Sequence, residues 1–168
     1  VGPLAALGDP AWPSIQALLQ SDQPGSRECA RAVLRQSSDL TEKAAAQALS
    51  RLSGRYDPDT VEFFQDLSGQ APALVPVLRR AFHDGPPGRR LTAIVATGRL
   101  GMSEKAATAP AVSDLIGLLH FKEPQVIRDQ ALEALENIGT PEAMSAATRY
   151  RDEKDRRKEF EVQQPETL

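Results

Sequence analysis

Apolar side chains along this chain recur at steps of three and four residues, not at alternate positions. Over 125–138, QVIRDQALEALENI sets Val126, Ala131, Leu132, Leu135 and Ile138 in one stripe and leaves Gln125, Asp129, Glu133 and Glu136 on the other side. That is the period of a helix with one buried face. The same period places Leu40, Ala44, Ala48, Leu49 and Leu52 on a helix over 41–53, and Val61, Phe63, Phe64 and Leu67 on a second over 57–68. Helix starts are marked by an N-capping side chain followed by proline at Asp9-Pro10, Asp57-Pro58 and Thr140-Pro141, because the cap accepts a free N–H and proline at the first helical position has none to lose.

An internal repeat then fixes the organisation. Residues 110–139 lie over 72–101 with a constant offset of 38 and no gap, pairing Pro72 with Pro110, Ala73 with Ala111, Leu78 with Ile116, Pro86 with Pro124, Arg90 with Arg128, Ala93 with Ala131, Ala96 with Ala134 and Gly101 with Gly139. Each copy holds two apolar-periodic segments of about a dozen residues joined by a short turn, the pattern of an αα-hairpin. Pro86 and Pro124 are expected in the first turn of each second helix. Gly101 and Gly139 are expected just beyond its end, in the left-handed conformation that closes a helix. A looser copy opens the chain: Ile15, Leu18 and Leu19, the turn Pro24-Gly25, then Arg27, Ala30, Val33 and Leu34.

One such hairpin cannot cover its own apolar face, so the copies are expected to stack. The predicted fold is all-α, a right-handed α-solenoid of stacked αα-hairpins filling 1–150, with hairpins at about 9–36, 40–69, 71–101 and 109–139 and a last helix from 141. Over 151–168 the apolar stripe fades into alternating charges such as Asp152 with Arg156 and Glu153 with Arg157, which predicts a charged helical extension or a disordered tail.

The segment 110–143 resembles the bacterial HEAT-repeat family, including the short repeats of phycobilisome lyases, through Val126, Arg128, Ala131, Ala134, Leu135, Ile138 and Gly139. The resemblance is closest over 72–147. It implies an armadillo-like α-solenoid whose second helices line a concave face, a fold that hosts many functions, mostly protein binding.

Composition narrows the field. The chain is 40% hydrophobic and 26% charged, rich in Ala and Leu, with a formal net charge of −3, so no overall basic field draws it to nucleic acid or anionic lipid. No apolar run approaches bilayer length, and the chain reads as soluble, the cytoplasm favoured over the periplasm. It begins with Val, which reads as a fragment of a longer, multidomain chain. A single cysteine, Cys29, closes no internal disulfide.

Candidate chemistry is sparse. His83 and His120 fall within one position of each other under the offset of 38, but neither is followed by Glu, as the resemblance to HEAT-repeat deoxyhypusine hydroxylases would require, so they read as surface or turn histidines. Cys29 reads as a small core side chain beside Ala30 and Val33. Trp12, between two prolines, reads as a cover for the end of the stack. Arg79, Arg80, Arg89 and Arg90 form the densest basic cluster, either a phosphate-binding patch or helix-end arginines that pair with acidic neighbours. No nucleotide-binding or hydrolase motif occurs, and no catalytic residue, metal or cofactor is assigned.

The expected function is a non-catalytic scaffold that binds a protein partner, its contacts drawn from Arg31, Arg35, Arg99, Asp129, Glu133 and Glu136. A lyase or chaperone-like factor of the bilin lyase type, implied by the resemblance alone, and nucleic-acid binding through the arginine cluster are the alternatives.

Overall fold

The computed structural model describes the backbone of residues 11–163 and the side chains of 11–157. The described residues are all-helical, with no strand. The α-helices are α1 (Trp12–Leu19), α2 (Pro24–Leu34), α3 (Ser38–Ser50), α4 (Pro58–Asp66), α5 (Ala71–His83), α6 (Pro87–Gly101), α7 (Lys105–Thr108), α8 (Val112–Gly117), α9 (Gln125–Ile138) and α10 (Pro141–Gln163). Single 3-10 turns at Ser68–Gln70 and Ala109–Ala111 lead into α5 and α8.

Local chemistry sets most of these boundaries. Asp57 caps α4 by accepting the Thr60 N–H at 3.1 Å, and Thr140 caps α10 by accepting the Ala143 N–H at 3.2 Å. The Asp9-Pro10 signal lies outside the described residues. Pro86 and Pro124 sit one place earlier than expected. Each is the N-cap, with extended ψ of 157° and 144°, and its carbonyl accepts the N–H of Arg90 or Arg128.

Helices adjacent in sequence pack on one another, as α1 does on α2, α5 on α6, and α8 on α9. Contacts also run between alternate elements: α3 meets α5, α4 meets α6, and α6 meets α9 across the broadest interface in the molecule. The core therefore extends from Ile15 through Leu34, Leu40, Phe64, Leu78, Phe82 and Ile94 to Leu115, Leu135 and Ile138, all essentially inaccessible.

The α6–α9 interface is a seam of small residues. A Cβ added to Gly98 would stand 2.8 Å from the Ala134 Cα, and one added to Gly101 would overlap the Ile138 side chain. Contacts advance in the same sense along both helices, so these two run in the same direction where they touch.

Two expectations are corrected here. Gly139 does close α9 in the left-handed conformation, at φ 62°, but Gly101 is the last residue inside α6 and its φ is not positive. The helix continues because Gly101 is needed for close approach, not for a turn. The buried stripe of α9 is also turned by one residue at its start: Ile127 is buried and Val126 is 53% exposed, since α6 lies on the side that Ala131, Ala134 and Ile138 define.

Over 40–69 the chain forms α3 and α4, each packed more extensively on the following helices α5 and α6 than on the other, and the first helix expected from 109 is a 3-10 turn at Ala109–Ala111 followed by the short α8, with the separate single-turn α7 before it. Pro110 removes a backbone donor and tightens the turn. The charged segment is helical to Gln163 within α10, and the residues around Pro165 lie outside the described residues.

Candidate functional site

The sequence-predicted contact residues fall into three groups. On α2, Arg31 pairs with Asp66 at 2.7 Å, and Arg35 bonds Glu28 at 2.8 Å and the Asp66 carbonyl at 3.1 Å. Both guanidinium groups thus fasten α2 to the C-terminal end of α4, where a helix leaves carbonyls unclaimed. Arg35 also holds the Glu28 carboxyl below its ordinary range, through a direct hydrogen bond and its charge.

The arginine cluster is dispersed by the fold. Arg79 on α5 reaches Asp114 of α8 at 2.5 Å, and Arg80 reaches Glu42 of α3 at 3.6 Å. Arg89 donates to the Leu49 and Ser50 carbonyls at the end of α3, at 2.8 and 3.1 Å. Arg90 donates to the Phe82 carbonyl at 2.6 Å and to Glu123 at 2.8 Å. Four arginines close in sequence therefore bind acceptors on both sides along the chain, and each is committed to an intramolecular partner.

The third group lies on α6 and α9. Arg99 and Glu133 are exposed and stand outside these ion pairs. Asp129 and Glu136 instead face α10, where Lys154 binds Asp129 at 3.2 Å and Arg151 pairs with Glu136. These pairs dock the polar helix α10, whose buried apolar residues among those described are Ala143, Ala146 and Ala147 near its start.

Beside this docking seam is an open cleft of about 550 Å³, lined by Leu119, His120, Phe121, Gln125, Arg128, Tyr150, Glu153, Lys154 and Arg157. Its floor is the turn before α9 and the first turn of α9, and its far wall is α10. Phe121 is 61% exposed and packs on the His120 ring with centroids 4.4 Å apart. Arg128 donates through Nη2 to the Gln125 side chain, while its Nε is shielded from solvent with no acceptor. Sequence reasoning missed this cleft. The available signal was the Arg90–Arg128 equivalence, but that cannot show that one arginine meets a carboxylate and the other does not.

His120 borders the cleft and His83 is exposed at the end of α5. No group of three or more His, Cys, Asp or Glu side chains among the described residues is placed to hold a metal. Cys29 is exposed rather than buried, because the inward stripe of α2 is Ala30, Val33 and Leu34 and its neighbour is rotated away by one helical step. Trp12 is half-buried against the core at the start of α1. No helix among the described residues is long and apolar enough to cross a membrane. No protein-family model and no curated protein matches the chain.

Proposed function

We propose that this chain is a HEAT-like α-solenoid module that binds a protein partner along the row formed by α4, α6 and α9. The observation that supports it is the succession of contacts from α4 to α6 to α9, the order that second helices of three consecutive pairs would follow in a stack. Such rows expose extended surfaces suited to docking. Along this row the exposed residues include Glu62 of α4, Arg99 of α6 and Met102 just past its end, and Val126 and Glu133 of α9, a mixture of charge and isolated apolar groups typical of the rim and core of an interface. The nucleic-acid reading draws little support from the arginine cluster, since Arg79 and Arg90 are paired with carboxylates, Arg89 is bonded to backbone carbonyls and Arg80 lies beside Glu42. The bilin-lyase reading rests on resemblance alone.

The test begins with native mass spectrometry of the protein recovered gently from its host. A stoichiometric protein partner is the expected result, and a bound small molecule in place of a protein would refute the reading. The combined variant Arg99→Glu, Glu133→Lys should then weaken partner affinity by about tenfold, or ~1.4 kcal/mol, with an unchanged melting midpoint. Glu136 is left intact because reversing it would also disturb the contact with Arg151. Unchanged affinity would remove the α6–α9 surface from the site.

A further inference from the structure

We propose that the cleft between the start of α9 and α10 binds a carboxylate side chain from an acidic segment of a partner protein, with Arg128 as the principal contact. The inference rests on the binding-module reading above but places a contact on a different surface.

The internal repeat supplies the reasoning. Arg90 and Arg128 occupy the same position in two copies offset by 38 residues. Arg90 is satisfied twice: it donates to the last-turn carbonyl of Phe82, and it receives the carboxylate of Glu123 from the turn of the following copy. Arg128 has neither partner. The equivalent carbonyl, that of His120, instead accepts the Glu123 N–H at 3.0 Å. Beyond Arg128, α10 is helical to Gln163, and among the described residues no acid takes against Arg128 the place that Glu123 takes against Arg90. What lies there is the cleft.

The surroundings suit a carboxylate. Among the described residues, Arg128, Lys154 and Arg157 line the cleft against one acid, Glu153, and Lys154 is half engaged by Asp129. Pro124 gives α9 no side-chain cap, so the positive end of the helix also faces this region. A shielded Nε–H without an acceptor is unfavourable, and a carboxylate that draws the guanidinium into a two-pronged contact would relieve it. Phe121 and Tyr150 provide apolar walls for the stem of a Glu or Asp. The precedent of Arg90 with Glu123 and the presence of Glu153 favour a singly charged carboxylate over a phosphate.

The probe is the chain's own turn, a synthetic peptide of residues 119–127, LHFKEPQVI, which carries Glu123, together with its Glu123→Gln form. Each is titrated into the intact protein labelled with ¹⁵N at arginine. The expected result is a saturable shift of the Arg128 Nε–H signal, with Arg90 unmoved, and binding at least fivefold weaker for the Gln peptide. The Arg128→Lys variant, followed through the Tyr150 ring signals and checked for an unchanged melting midpoint, should lose binding by a similar factor.

Equal binding of the two peptides, or no shift with either, overturns the proposal. So does inorganic phosphate or a DNA oligonucleotide saturating the site at lower concentration than acetate or the Glu peptide, since the cleft would then be a phosphate site. The Arg99→Glu, Glu133→Lys variant should bind the peptide as the parent does. If the peptide fails while partner affinity still responds to Arg99 and Glu133, the cleft assignment falls and the binding-module reading stands.

Discussion

Replacing Gly98 by alanine places two opposing effects in one experiment. Alanine is a better helix former than glycine by about 0.8–1 kcal/mol in a helix interior, so on local grounds the change stabilises α6. The new Cβ would lie 2.8 Å from the Ala134 Cα and 3.0 Å from its Cβ. Ordinary contact begins near 3.4 Å, so α9 must retreat by roughly 0.6 Å along the broadest interface in the molecule. The closest neighbour is backbone, which no rotamer change can move aside.

Overpacking of this kind costs about 1–3 kcal/mol, enough to offset the propensity gain and leave a net loss of up to about 2 kcal/mol. For a chain of this size that is a fall in melting midpoint of about 2–8 °C. Thermal unfolding followed by far-ultraviolet circular dichroism measures the shift, and urea unfolding the free-energy loss. Gly117→Ala at the end of α8 is the matched control, since its Cβ would meet nothing within 4 Å, and it should be neutral or slightly stabilising. If Gly98→Ala is as stable as Gly117→Ala, the seam is not close-packed and the account of α6 against α9 is refuted.

Two further outcomes follow from the arginine contacts. Arg90→Met keeps the aliphatic stem but leaves the Phe82 carbonyl and Glu123 without their donor; destabilisation of about 1–3 kcal/mol is expected by denaturant titration, and a loss under 0.5 kcal/mol would show the pair to be incidental. For Glu28, the Arg35 contact lowers the carboxyl's folded-state pKa below its ordinary value of 4.5, so its stabilisation is present above that value and disappears as pH falls through the lowered one. The melting-midpoint gap between parent and Glu28→Gln should be small near pH 7, because the residue is exposed, and should close as pH falls from above 4.5 through the lowered folded-state value. A gap that widens on acidification would contradict the assignment.

The sequence by itself determined that the chain is helical, where most helices begin, and that residues 110–139 repeat 72–101. These are local matters: a capping side chain accepts an N–H three residues away, proline fixes its own φ, and a buried stripe imposes its period on neighbouring residues. Asp57, Thr140 and Gly139 all act within a few residues of themselves, so their roles could be read directly.

What only the tertiary structure decided depends on which surface each helix turns to a distant neighbour. Gly101 and Gly139 are equivalent in sequence, yet one admits Ile138 and the other ends a helix, because only α6 has another helix pressed against that point. Val126 and Ile127 exchange roles for the same reason, and Cys29 points outward because Ala30, Val33 and Leu34 set the inner face of α2. Arg79, Arg80, Arg89 and Arg90 look like one patch in the sequence, but their long side chains reach acceptors 33–40 residues away and along different helices. The cleft at Arg128 is the clearest instance. Its equivalence to Arg90 is written in the repeat, whereas the carboxylate that completes Arg90 comes from the next copy, and a side chain's partner across such a distance is set by packing rather than by local chemistry.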